Sequence, residues 1–235
     1  MKFKLSEICI GGGSYGIAAS AVEYSTDLPT YLRITDINDD GTLDFSGLKS
    51  VDDPKSRKYF LAPNDIVFAR TGASTGRNYF YDGNDGEFVY AGFLIKFSID
   101  PGKVNPKFLK YYCQSKDYYG WIASFNTGST RGNINAQTLG NMPIPNVSRE
   151  QQDFLVDILS ALDARISVNR AINHHLASTS TMDNSPDIRR GRRVSRMFAS
   201  VLDSFSLADI LENNGIIKFS NEFMSSSGGN FTGIL

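Results

Sequence analysis

The sequence predicts an α+β protein: a mixed, strand-dominated domain, then a long coiled-coil-type helix, then a short C-terminal segment. Three observations carry this. Hydrophobic residues make up 41% of the 235, aromatics 12% and charged residues 21%, with 16 Phe and 11 Tyr; such a chain needs a packed core and is not disordered as a whole. Up to residue 147 the apolar residues come in short runs divided by turn residues. From Ser148 onward the pattern changes to a heptad-like stripe.

The strand runs are Tyr31-Leu32-Arg33-Ile34, Asp65-Ile66-Val67-Phe68-Ala69, Asn78-Tyr79-Phe80-Tyr81, Phe88-Val89-Tyr90 and Phe93-Leu94-Ile95-Lys96-Phe97. They are punctuated by Asn38-Asp39-Asp40-Gly41, Pro63-Asn64-Asp65 and Asp82-Gly83-Asn84-Asp85-Gly86, which read as tight turns. The span 82–86 lies between two aromatic runs and predicts a hairpin. One helix interrupts the strands. Asn105 caps it, Pro106 fits its first turn, and Phe108, Leu109, Tyr112 and Cys113 share a face. These elements form the first domain, 1–147.

Ser148-Arg149-Glu150-Gln151 is a capping box that opens the helix 148–176. No Gly or Pro follows as far as Leu176. Leu155, Leu159, Leu162, Ile166, Asn169, Asn173 and Leu176 recur at alternating steps of four and three, a pairing seam whose C-terminal half turns polar. At 1.5 Å per residue the helix is roughly 40 Å long, the length of a spacer. Residues 177–235 read as a linker and an atypical tail. They hold the basic run Arg189, Arg190, Arg192, Arg193 and Arg196, and an amphipathic helix is expected over 196–211.

The formal net charge of −1 argues against indiscriminate binding of polyanions, so any nucleic-acid role must rest on a local basic surface. Two cysteines, Cys9 and Cys113, are too few for a disulfide framework and suit a reducing cytoplasm. No apolar run is long enough for a membrane span, and Met1-Lys2-Phe3-Lys4 is not followed by the apolar core of a signal peptide. The only histidines, His174 and His175, sit side by side near the helix end, and no Cys/His spacing matches a metal site. No cofactor and no catalytic residue are expected.

Gly11-Gly12-Gly13-Ser14-Tyr15-Gly16 fits the dinucleotide pattern G-x-G-x-x-G, but polar residues precede it where a buried strand should stand, and strand signals follow it. A flexible loop is the better reading. Gly72-Ala73-Ser74-Thr75-Gly76-Arg77 is one residue short of a phosphate loop and lacks its Lys. It does offer small residues, the hydroxyls of Thr71, Ser74 and Thr75, and flanking Arg70 and Arg77. Asn126-Thr127-Gly128-Ser129-Thr130-Arg131-Gly132-Asn133 repeats that chemistry. Backbone N–H groups and arginines in such loops can hold phosphates and base edges. A glycine turn with solvated arginines would account for either loop alone.

Three strings in order resemble one family. They are Tyr31-Leu32-Arg33-Ile34-Thr35-Asp36-Ile37 with Asp40-Gly41; Asp65 to Gly76; and Thr127-Gly128-Ser129-Thr130-Arg131-Gly132-Asn133-Ile134-Asn135-Ala136 with Leu139-Gly140-Asn141-Met142-Pro143-Ile144-Pro145. The last continues through Glu150-Gln151, Ile158-Leu159-Ser160-Ala161-Leu162-Asp163, Ile166, Asn169-Arg170 and Ile172-Asn173. Over about residues 5–176 the chain is similar to the specificity subunit of type I DNA restriction–modification systems. It has one target-recognition domain and the helix that follows.

The resemblance implies a non-catalytic, cytoplasmic DNA-reading subunit. Its partners would be double-stranded DNA, DNA methyltransferase (modification) subunits and, in the full complex, a restriction and translocase subunit. DNA contacts would come from Arg33, Thr35, Arg70, Thr71, Ser74, Thr75, Arg77, Thr127, Ser129, Thr130, Arg131 and Asn133. Members usually carry two recognition domains joined by two helices and read a split site; only one domain is found here. That leaves a half-subunit, which would form a homodimer through the long helix, or a truncated subunit. Two other readings stay open. One is a recognition fragment of a fused DNA adenine methyltransferase or nuclease, although neither a cofactor motif nor an Asn/Asp-Pro-Pro-Tyr/Phe motif occurs. The other is a coiled-coil interaction module without a DNA role.

Overall fold

A computed structural model describes residues 2–125 and 133–179, with the side chains of 174–179 excepted. The chain divides into two units, Met1–Asp163 and Ala164–Leu235, and the division falls inside the long helix. The first unit is built on two four-stranded sheets and a two-stranded one. Its strands are β1 (Lys2–Lys4), β2 (Ser14–Tyr15), β3 (Ala21–Glu23), β4 (Thr30–Leu32), β5 (Lys49–Val51), β6 (Asp65–Ala69), β7 (Asn78–Tyr81), β8 (Phe88–Tyr90), β9 (Leu94–Ser98) and β10 (Pro143–Pro145). Four helices follow or interrupt them: α1 (Pro106–Tyr112), α2 (Lys116–Ala123), α3 (Ala136–Gly140) and α4 (Arg149–Thr179). The fold is α+β, as the sequence predicts.

Sheet β2-β9-β6-β7 is antiparallel throughout, with β6 at its centre. All five residues of β6 are buried, and they alternate between two cores. Ile66 and Phe68 join Ile95, Phe97 and Phe80 on the face covered by the helices, among them Phe108, Leu109, Tyr118, Ile122 and Leu139. Val67 and Ala69 join Leu94, Tyr79 and Tyr81 on the other face, against Leu32, Phe88 and Tyr90 of the second sheet. The period-two rule of a strand thus makes one sheet the wall between two apolar layers. The second sheet, β3-β5-β4-β8, repeats the device: Leu32, Phe88 and Tyr90 face inward, and Tyr31, Val51 and Val89 form a third, smaller cluster with Ile17.

Three sequence expectations need correction. Residues 82–86 do not make a hairpin of their flanking strands: β7 pairs with β6, whereas β8 crosses to the second sheet and runs parallel to β4. The aromatic rings explain the crossing. Phe88 meets Tyr79 and Tyr81 edge-to-face, at 6.2 and 6.1 Å between centroids, across the space between the sheets. Leaving both strands in one sheet would lose that filling. Within the glycine stretch 11–16, Ser14–Tyr15 is a short edge strand and not loop. Ser14 and Tyr15 pair with Lys96 and Ile95, and a Cβ on Gly16 would run into the carbonyl oxygens of Tyr90 and Ala91. Finally, the domain holds α2 and α3 besides the expected α1. The side chain of Ser115 accepts the N–H of Tyr118 and that of Asn135 accepts the N–H of Thr138, so both starts are capped.

Asn105 caps α1 by accepting from the Lys107 N–H, as expected. It also ties α1 to the start of α4. Its N–H donates to the buried Gln152 and its side-chain NH₂ to Asp153. The capping box forms, with the Gln151 N–H on the Ser148 hydroxyl and the Ser148 N–H on Gln151 Oε1. Further along, Lys110 reaches Asp163 at 2.7 Å, and the Tyr111 hydroxyl meets Ser160 and Asp163. Within the second unit, Val168 and Ile172 of α4 are exposed. Among the described residues no helix is long and apolar enough to cross a membrane. The linker, the basic run 189–196 and the expected helix 196–211 lie outside the described residues.

Two outcomes test this architecture. Gly16→Ala should lower the unfolding free energy by about 1–3 kcal/mol through overpacking, whereas Gly12→Ala, with open space at its Cβ position, should be nearly neutral. Chemical denaturation of both variants reads the difference. Burial pushes the Cys9 thiol up to about 12 and raises that of Cys113 as well. At pH 8 both are therefore protonated, and the thiolate is the reactive form. A disulfide exchange reagent should label neither until denaturant is added; rapid native labelling would contradict the packing.

Candidate nucleic-acid interface

The end of β6 delivers the loops. Beyond Ala69, the Arg70 N–H donates to the Phe93 carbonyl and the Arg70 carbonyl accepts the Ile134 N–H, at 3.0 and 2.8 Å. Thr71 forms a bridge with Asn133. The two hydroxyl–Gly–Arg loops, far apart in sequence, are therefore joined at Thr71 and Asn133. The first closes on itself: the Thr75 hydroxyl and N–H both donate to the Gly72 carbonyl, and the Arg77 N–H donates to that of Ser74. Gly72 and Gly76 take positive φ, 76° and 92°, where side chains are strained. At Gly76 a Cβ would also meet Ile122 at 2.6 Å.

Of the four arginines placed in the site by the sequence, the three among the described residues differ in their engagements. Arg33 clasps the buried Asp36 through Nε and Nη2, at 3.0 and 2.6 Å, and also donates to the Gly47 carbonyl. Thr35 donates to the same carboxylate. Arg77 is bound to Asp39 at 2.6 Å and to the Ile37 carbonyl. Arg33 and Thr35 thus stand at the base, and Arg77 at the tip, of the turn 36–44. The Tyr119 hydroxyl fastens that tip to α2 by donating to the Asp39 carbonyl.

Arg70 has no acidic partner among the described residues. Its guanidinium lies 5.0 Å above the Tyr15 ring, Nη2 donates to Asn133 Oδ1 at 3.4 Å, and Nε is buried without a hydrogen bond. Tyr15 is a residue the motif reading missed. Its signal was present in the Ser14-Tyr15 step, which places the ring on a strand edge, but the glycines around it masked the strand. Thr71, Ser74 and Thr75 are half-buried beside this arginine's loop. Thr127, Ser129, Thr130 and Arg131 lie outside the described residues.

On α4, the expected pairing seam begins against the chain's own domain. Leu155 packs on the helix-side core next to the buried Val156. Leu159, Leu162 and Ile166 are half-buried, and Asn169 and Asn173 are exposed. The side chain of Leu176 lies outside the described ones.

The domain is strand-built, presents two joined loops and leads into a long helix. The chain belongs to the family described as the type I restriction modification DNA specificity domain, which matches residues 1–178. No curated protein matches it in sequence. Among solved structures it is similar to the S subunit of a type I restriction–modification system from M. genitalium. That match has 19% identity and a TM-score of 0.49, and covers 78% of this chain and 46% of that one. The HsdS subunit from Thermoanaerobacter tengcongensis is another, at 13% identity and a TM-score of 0.48, covering 77% and 46%. A third comes from a structure of complex assembly and conformational transition of the type I R-M system, at 14% identity and 0.47, also covering 77% and 46%. The chain spans about half the length of each.

The contrast among the arginines has a measurable consequence. Asp36→Ala should cost about 3 kcal/mol, because it strands the Arg33 guanidinium in a largely buried setting. Arg70→Ala should cost ~1 kcal/mol or less, since it breaks no ion pair. Thermal or urea unfolding of the two variants side by side checks the ordering.

Proposed function

We propose that this chain is the sequence-specific DNA-recognition subunit of a type I methyltransferase and restriction complex, reading one half of a split site. The observation that carries the reading is the junction of the two hydroxyl–Gly–Arg loops at Thr71 and Asn133 in a chain of the specificity-domain family. In this reading residues 1–147 form the domain that meets DNA. Arg70, Thr71, Ser74, Thr75 and Asn133 approach bases and phosphates; Thr127, Ser129, Thr130 and Arg131 are further DNA contacts in the same reading. Arg33, Thr35 and Arg77 shape the neighbouring turn 36–44.

The subunit itself is non-catalytic and needs no cofactor; methyl transfer belongs to modification subunits and cleavage to a restriction and translocase subunit, on cytoplasmic DNA. Helix 148–176 spaces and pairs two copies through Leu159, Leu162, Ile166, Asn169, Asn173 and Leu176, while 177–235 serves as linker and tail. An antiparallel pair about a two-fold axis makes each copy read the same half-site on opposite strands, and so requires an inverted-repeat target. A helix of roughly 40 Å suits half-sites about one DNA turn apart, ~34–36 Å.

Methylation mapping of genomic DNA decides the first claim. Cells with modification subunits plus this chain should carry methylation at one bipartite motif, and cells without it should not. Methyl transfer by the purified chain alone would refute the non-catalytic role. For the second claim, light scattering should find a dimer at micromolar concentration, and Leu159→Asp with Leu162→Asp should give a folded monomer. A monomeric wild type would remove the pairing.

A further inference from the structure

We propose that Arg70, laid on the Tyr15 ring and tethered to Asn133, is the arm that reads a guanine of the target, with Tyr15 as its positioning residue. This rests on the DNA-reading role above. Arg33 and Arg77 each have an aspartate within 2.6 Å and a backbone carbonyl besides, so their charge is already used by the fold. Arg70 is different. Among the described residues no carboxylate meets it, and its one hydrogen bond is a long one to an amide oxygen.

Its donors can be counted. A guanidinium has five N–H groups. The Nε one is enclosed and unpartnered, and one on Nη2 goes to Asn133. Among the described residues three remain without a partner, all on the terminal nitrogens, so the arm acts end-on. Its plane is steadied by the aromatic face 5.0 Å away. That ring is itself fixed: the Tyr15 backbone pairs with Ile95, and its hydroxyl accepts the N–H of Ala136 at 3.1 Å. The Arg70 backbone is held on both sides, by Phe93 and by Ile134.

An end-on, planar, oriented fork matches guanine, which offers O6 and N7 as two acceptors in the major groove. Adenine sets an N6 donor beside N7 and repels half of the fork. A phosphate anchor needs charge and reach but no fixed plane, and so would not use the Tyr15 platform.

The test uses the full chain expressed with modification subunits, reading the methylated motif by sequencing. The wild-type motif should contain a guanine whose position becomes degenerate in Arg70→Ala and in Arg70→Lys, with the other positions kept. Discrimination at that base should fall roughly tenfold to a hundredfold. Tyr15→Phe, which keeps the ring, should retain the motif; Tyr15→Leu should relax the same position.

An unchanged motif in Arg70→Ala overturns the proposal. So does uniform loss at all positions with recovery in Arg70→Lys, the behaviour of a phosphate contact. A wild-type chain that confers no motif would sink the DNA-reading role itself, an outcome distinct from a motif that ignores Arg70.

Discussion

The first unit depends on one constraint: β6 is buried on both faces. Its five residues must satisfy two apolar layers at once, the helices on one side and the second sheet on the other. A strand in that position has no solvent face to spare for polar groups. The exception, Asp65, is met by the Lys96 ammonium at 3.0 Å, the Ser98 hydroxyl and the Ala62 N–H. A buried carboxylate is tolerable only when charge and hydrogen bonds both reach it. This network sits at the N-terminal end of β6. The loop-bearing end, at Ala69 and Arg70, emerges from a strand packed on both faces, so the start of the loop is oriented by the core.

The same constraint explains the crossing of the chain between β7 and β8. Tyr79 and Tyr81 point into the space between the sheets, and Phe88 must come from the opposite side to fill it. The Tyr79 hydroxyl, tied to Asp85, and the Tyr81 hydroxyl, tied to the Gly86 carbonyl, hold the connecting segment over that space. A two-stranded hairpin would have satisfied the turn chemistry of 82–86 locally and left the layer unfilled. Layer packing overrode a correct local signal.

Much of the fold was legible for this reason: period and punctuation are local, and where packing agrees with them they suffice. The runs 65–69, 78–81 and 88–90 are strands to the residue, Asn105 caps α1, and the capping box of Ser148 and Gln151 forms. What escaped is what depends on partners distant in sequence. Lys2–Lys4 is exposed and polar at two of its three positions, and becomes a strand only because Pro143–Pro145 lies alongside. Helix α2 carries Tyr118, Tyr119 and Trp121 with Gly120 between them, poor helix formers. It exists because Tyr118 and Ile122 are buried in the core and the Tyr118 hydroxyl reaches the Gly76 carbonyl. In the site, residue types were readable but engagements were not. Arg33, Arg70 and Arg77 look alike in sequence, and only the fold brings aspartates to two of them.

That division bears on how, in the proposed role, a chain with 24 basic and 25 acidic residues would read a polyanion. A broadly cationic surface would bind any sequence, because counterion release rewards every phosphate neutralised alike. Here the aspartates at 36 and 39 quench the arginines nearest the turn 36–44, which lowers the sequence-independent attraction. Loop glycines and hydroxyls still let backbone N–H groups approach phosphates, which fixes register without adding net charge. Arg70, met by no carboxylate among the described residues and held by a ring and an amide, then contributes proportionately more to the difference between right and wrong bases than to total affinity. Near neutrality is in this reading a means of raising specificity relative to affinity, with the remaining binding strength supplied by a second copy or by the subunits that the domain directs.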